Sequence, residues 1–312
     1  MTNRSAVVHS GKRRIPSARR PSADSAQRMR LALSWYWPGA LLAAALIWSY
    51  WPTVQSLMRD WRSDENYSVG QLVPLAALYL AWCDRKALAA CAVRTCWWGL
   101  AGLLLAQVIR GAGLLWLYES AERYSMVLSV AALVLLVGGR EVFRRSGWIL
   151  CFLVLMVPLP GKVHNLISGP LQTFATTGAV AALEMLGVTV GREGNVMVLN
   201  DSVKVAVAEA CSGLRMLTAF VVVSATLAYV VDRARWQKVF LLLSSVPVAL
   251  FCNMVRLVIT AYLFMVVSSD VGERFFHDFA GWTMMPLAVV LLLVELWIMS
   301  RLVIEPGDGK TS

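Results

Sequence analysis

The stretch Val207-Ala208-Glu209-Ala210-Cys211-Ser212-Gly213-Leu214-Arg215 joins an alternating, strand-like run to a long apolar helix. It puts a single thiol at the junction. A cysteine at a helix N-terminus lies in the positive end of the helix dipole, which favours the thiolate, and Arg215 one turn on adds to that bias. The helix that follows reads as a membrane span over 212–231, close to the roughly 20 residues that a bilayer crossing needs.

Composition carries that reading to the whole chain. Hydrophobic residues make up 58% of the 312 and charged residues only 15%, with a mean hydropathy of +0.62. A soluble protein of this length carries roughly a quarter charged residues. The fold class expected is an all-α polytopic membrane protein with about eight transmembrane helices and a small extracytoplasmic helix/hairpin insertion. The net charge of +10 points to positive-inside loops, not to a nucleic-acid partner. Six cysteines without Cys-x-x-Cys spacing and three scattered histidines (His9, His164, His277) indicate no zinc site, disulfide framework or other metal centre. No cofactor is expected. No cleavable signal peptide is expected either, because the first apolar run follows a long arginine-rich segment and reads as an anchor.

In order, residues 1–34 are expected to be a disordered basic cytoplasmic tail that orients the chain and brushes anionic lipid. The domain 35–304 holds spans near 35–51, 68–82, 96–117, 125–139, 148–160, 212–231, 239–255 and 281–303, and 305–312 is a second cytoplasmic tail. The spans at 68–82 and 148–160 are short, so tilt, flanking extension or packing within the bundle is expected of them. Basic residues set the orientation. There are eight in the N-terminal tail, three each in 85–94, 140–145 and 233–238, and two near the C-terminus, so nineteen of 29 fall on one side. Both termini are then cytoplasmic, and Cys211, Arg256 and His277 share the extracytoplasmic face.

The outer insertion, about 161–211, begins with a helix at or near the membrane surface. Alternation at Val188/Val190, Val196/Val198 and Val203/Val205/Val207, with turns at Gly191–Asn195 and Asn200–Ser202, then predicts a small hairpin that delivers Glu209 and Cys211 to the sixth span. The run Val239–Val267 is too long for one perpendicular crossing, so the turns after Asn253 and Arg256 are expected to project outward or bend. An arginine at that interface is tolerable, whereas at mid-bilayer it costs several kcal/mol.

Acyl transfer by a cysteine needs a thiolate, a proton donor for the leaving amine and a group to hold the oxyanion. Cys211, His277 and Arg256 are the matching types on one face. Spacing alone leaves other readings open. Cys211 could be an inert small hydrophobe or pair with Cys252. His164 could rival His277, although it lacks an acidic neighbour and reads as a surface-loop histidine, whereas Asp278 follows His277. Arg110, within the third span, demands a partner or a water-lined face.

The sequence resembles the exosortases, integral-membrane cysteine transpeptidases of Gram-negative bacteria, over roughly 60–300. The resemblance is carried by Asn66-Tyr67-Ser68 with Leu72-Val73-Pro74-Leu75, Met156-Val157-Pro158-Leu159-Pro160 and Arg192-Glu193-Gly194-Asn195. It continues with Glu209-Ala210-Cys211-Ser212-Gly213-Leu214-Arg215, Asn253-Met254-Val255-Arg256 and His277-Asp278-Phe279-Ala280-Gly281-Trp282. It implies Cys211 as nucleophile, His277 as acid/base and Arg256 as the group that positions or stabilises the acyl intermediate. Arg215, Arg192, Glu209, Asn253 and Asp278 are implicated in substrate binding, with Arg215 or Arg192 as receptor for a substrate glutamate. The substrates implied are membrane-anchored exported proteins ending in Pro-Glu-Pro, an apolar helix and an arginine-rich tail. The acceptor is unspecified and the location is the bacterial inner membrane, with the site on the periplasmic face. Two departures stand out. Val69 occupies a position where the family often has His, and the sequence ends eight residues past Ile304, so the extra C-terminal domain of some members is expected to be separate or absent. Readings from other classes are a transporter for envelope polysaccharide or lipid, which requires paired charges along a midplane path, and an acyltransferase using Cys211 on lipid.

Overall fold

The computed structural model describes residues 37–194, 196–200, 203–206, 213–231, 233–266, 286–287, 289–298 and 301. The chain divides into two units, 1–47 and 48–312. Of the first, the described residues belong to the apolar helix α1 (Trp37–Ser49). The second holds α2 (Trp51–Ser63), a 3-10 turn (Glu65–Gln71), α3 (Leu72–Cys83), α4 (Arg85–Ala89), α5 (Trp98–Leu115) and α6 (Glu119–Phe152). After α6 come a 3-10 turn (Leu153–Met156), α7 (Gly161–Met185), β1 (Val190–Glu193), β2 (Val196–Leu199), β3 (Val203–Ala206), α8 (Leu214–Val230) and α9 (Arg235–Val266), then the apolar helix α10 (Val289–Ile298).

Among the described residues, three helical runs are long and apolar enough to cross a membrane: Trp98–Leu115, Glu119–Met156 and Arg235–Met265. Where a span was expected at 68–82, the structure has a turn and a 12-residue helix, about 18 Å long and shorter than a hydrocarbon layer of roughly 30 Å. That helix buries Val73, Ala77 and Leu80 on one face and exposes Leu75, Leu78 and Trp82 on the other. The runs expected at 125–139 and 148–160 lie on α6 and its 3-10 extension, broken at Gly139, whose φ of +80° is open to glycine at little cost. A side chain there would strike the backbone of Arg94.

α5 and the first half of α6 form an antiparallel pair. Gly99, Ala106 and Gly113 are buried on α5. A Cβ on Gly99 would strike the Leu136 backbone, and one on Gly102 would come 3.0 Å from the Ala132 Cβ. This is the small-residue seam by which helices approach when lipid supplies no hydrophobic drive. Next to it lies a polar knot. The Tyr50 hydroxyl, buried at 1% exposure, is 3.0 Å from both Ser125 and Ser129 Oγ. Arg110 donates to Ser49 Oγ and the Ser49 carbonyl at 2.5 and 2.7 Å, with its guanidinium 4.3 Å from the Tyr50 ring centre. The partner that its position demanded is therefore a hydroxyl, a carbonyl and an aromatic face.

The insertion is more elaborate than a hairpin. Three strands pair antiparallel in the order β1-β2-β3, with Gly191 opposite Val198 and Val196 opposite Ala206. Gly191–Glu193, expected in a turn, extend β1 instead, and Asn195, Asp201 and Ser202 of the expected turns lie outside the described residues. Helix α7 supplies Ala175, Ala179 and Leu183 at i, i+4 spacing. β2 supplies Met197 and Leu199 at i, i+2, and α9 supplies Leu257 and Ala261. These seven form one core. It explains why α9 runs 32 residues, about 48 Å. Its last turns continue past Arg256 as helix because α7 and β2 cover them. A second core, with Met216, Phe220, Leu241, Ala249, Cys252 and Leu292, joins α8, α9 and α10.

Candidate active site

Helix α8 starts at Gly213, whose φ of +82° turns the chain into the helix in a left-handed conformation. The Gly213 carbonyl accepts from Leu217 N at 2.8 Å, and Leu214 is buried. A Cβ on Gly213 would lie 2.9 Å from Asn253 Nδ2 and 3.2 Å from its Cγ. The head of α8 is thus pressed onto α9 at Asn253, which has no exposed surface. Arg256 is three residues on, 9% exposed, and its carbonyl accepts from Thr260 Oγ1 at 2.6 Å. Asn253 and Arg256, at i, i+3, share a helix face.

Of the residues expected in the site, Cys211, Glu209, His277 and Asp278 lie outside the described residues. Arg215 is half-buried in the first turn of α8, and its carbonyl accepts from Thr218 Oγ1 at 2.9 Å. Arg192 on β1 is exposed and tied down, donating from Nε to the Gly194 carbonyl at 2.8 Å and from Nη1 to Thr177 Oγ1 at 2.7 Å. The adjacent Gly178 lies against Met254, its Cβ position 2.5 Å from the sulfur. Cys252 is a free thiol at 2% exposure, packed in the α8–α9–α10 core. Its packing there is that of a small hydrophobe, and Cys211, the partner of the alternative disulfide, lies outside the described residues.

A further cluster lies at the same end of α8. Helices α3 and α8 pack together, and near their C-termini Tyr229 donates to Asp84 Oδ2 at 2.5 Å. The turn 65–71, which precedes α3, accordingly packs against α8 at its N-terminal end. Asp64 caps that turn by accepting from Asn66 N at 2.9 Å. Trp61 Nε1 donates to the Met156 carbonyl at 3.1 Å, which brings the Asn66-Tyr67-Ser68 and Met156–Pro160 stretches together. Across that join the Tyr67 hydroxyl meets His164 Nδ1 at 2.6 Å, with ring centres 5.8 Å apart edge to face. Burial first, then the carboxylates of Asp64 and Asp60, pushes the Tyr67 hydroxyl up to about 12. It therefore stays protonated as a donor at any physiological pH. Arg123, buried, pairs with Asp60 at 2.7 Å and with Glu119 at 2.5 Å.

The surface-loop account of His164 is thus corrected: its partner is a tyrosine 97 residues away. Only a signal that coupled the two motif stretches could have found this pair. Val69, in the position where the exosortases often carry His, is buried at 4% exposure and serves packing. Among the described residues, no group of three or more His, Cys, Asp or Glu is placed to hold a metal ion.

A protein-family model, transmembrane exosortase (Exosortase_EpsH), matches residues 61–294. Comparison with curated proteins and with solved structures gives no match. The match takes in the turn at Tyr67, the insertion, the head of α8 and the Asn253–Arg256 face of α9, and on it the chain belongs to the transmembrane exosortase family.

Proposed function

We propose that this chain is a membrane-embedded cysteine transpeptidase of about eight spans, with both termini cytoplasmic and its site at the periplasmic edge of a bacterial inner membrane. It cleaves Pro-Glu-Pro-type sorting signals from exported proteins. The Cys211 thiolate attacks the scissile carbonyl, the C–N bond breaks to leave a thioester, and His277 protonates the departing amine. An acceptor amine then attacks the thioester, His277 takes up its proton and the thiolate is restored. Arg256 holds the developing oxyanion.

The observation that carries this reading is the contact of Gly213 with Asn253. Two peptide units hold Cys211 within about 7 Å of Gly213, Cα to Cα. That supports confinement of the sulfur and the Arg256 guanidinium to the same end of the α8–α9 pair. The substrate's apolar tail helix would lie in the bilayer and present its motif at the membrane edge.

Mass spectrometry of a Pro-Glu-Pro-tailed protein, co-expressed with the wild type or with Cys211→Ala, tests the proposal. The wild type should give a new C-terminus, amide-linked to an acceptor, and the inserted, folded variant should leave the tail intact. Normal processing by Cys211→Ala ends the proposal, and a free carboxylate C-terminus replaces transfer with hydrolysis.

A further inference from the structure

At the other end of the α5–α6 pair, where Gly139 breaks α6, the surface opens into a hollow of about 950 Å³, within the roughly 300–1,000 Å³ typical of ligand sites. Arg140, Arg144 and Arg145 line it beside Glu141, Trp98 and Phe143. The segment 91–97 closes one side. Cys96 N donates to the Leu136 carbonyl at 3.2 Å, and Glu141 Oε2 is engaged by Ala92 N at 3.1 Å. Arg145 lies 4.0 Å from Asp84. Among the described residues no carboxylate lies within salt-bridge distance of Arg140 or Arg144. These two are one helical turn apart, where like charges repel unless an anion lies between them.

We propose that this hollow binds the phosphate-bearing headgroup of an anionic phospholipid. The walls fit the two halves of such a ligand: two guanidiniums match a phosphodiester, while Phe143 and the largely exposed Trp98 (78%) face the upper acyl chains. Its place at the span ends of an antiparallel helix pair puts it at headgroup depth, on the basic-loop side where anionic lipid attracts arginine. Orientation by positive-inside charge needs arginines near a span end, but not a shared apolar-walled hollow in which three arginines face one carboxylate, Glu141, and two of them form no ion pair among the described residues. A cationic ligand, such as an arginine-rich tail, is repelled here. Arg145 and Tyr229 both meet Asp84, which puts the hollow toward the C-terminal end of α8, away from Gly213; the site is independent of the catalytic reading.

The test is native mass spectrometry of the full chain released from nanodiscs of mixed phosphatidylglycerol and phosphatidylcholine. The wild type should retain phosphatidylglycerol over phosphatidylcholine. Arg140→Gln/Arg144→Gln should lose that preference by about thirty-fold, from roughly five-fold per guanidinium near the surface. Arg140→Lys/Arg144→Lys, which keeps the charge, should retain most of it and controls for misfolding. Equal retention of the two lipids, or unchanged preference in the double Gln variant, overturns the proposal. Displacement of the lipid by inorganic phosphate would make this a soluble-anion site, and stronger capture of a glutamate-rich peptide would assign it to a protein. Either outcome also overturns the lipid assignment.

Discussion

Replacing Gly213 by alanine probes the join on which the proposed chemistry depends. The residue sits at φ +82°, with its Cβ position 2.9 Å from Asn253 Nδ2 and 3.2 Å from Cγ. Left-handed backbone costs a residue with a Cβ about 1–2 kcal/mol. Overlap with the amide adds about 1–3 kcal/mol, because an Asn253 side chain with no exposed surface cannot swing aside without moving its neighbours. Gly213→Ala should therefore destabilise by about 2–5 kcal/mol. Asn253→Ala removes Nδ2 and Cγ and keeps Cβ, which is 3.6 Å away in ordinary contact. In that background only the backbone cost remains, so the predicted coupling is about 1–3 kcal/mol. Unfolding midpoints of the four proteins in detergent measure it. Costs that agree in both backgrounds to within about 0.5 kcal/mol refute the contact. Since Cys211 is two residues upstream, processing by Gly213→Ala should also fall further than its folded fraction, on the order of 100-fold for a displacement near 1 Å.

Tyr67→Phe removes the hydroxyl that holds His164 at 2.6 Å and should cost about 1 kcal/mol. Tyr67 titrates near 12 in the folded chain against an ordinary 10.0, so the stability it confers is complete below pH 10 and is lost as pH rises through about 12. Alkaline unfolding should thus be shallower in Tyr67→Phe than in the wild type, and parallel curves would exclude the shift. Arg123→Met strips Asp60 and Glu119 of a buried partner and should cost about 2–3 kcal/mol, discounted from the fully buried case because Asp60 is one-third exposed. Chemical denaturation reads it, and a change under about 0.5 kcal/mol would show the pair to be idle. Tyr50→Phe leaves Ser125 and Ser129 without their shared partner. It should lower the unfolding free energy by about 1 kcal/mol, read from denaturation in detergent, in keeping with hydrogen bonds between membrane helices.

Much of this architecture was legible in the residues because its causes are local. The α7 helix, the alternation of Val196 to Leu199 and the helical start after Gly213 follow from side-chain period and turn chemistry alone. So does the break in α6, although the gap between two expected spans did not reveal that a left-handed glycine makes it. The family, too, was legible, because short motifs in fixed order survive without knowledge of their contacts.

What the linear text could not show is who meets whom across long separations. Arg110 found Ser49 and the Tyr50 ring, and Tyr67 found His164. Both pairings depend on how helices pack, and no period or composition encodes a partner 61 or 97 residues away. Hydrophobic patterning sets which face of each helix turns inward. Only close packing of those faces decides which buried polar group meets which, because an unmet one costs too much to leave.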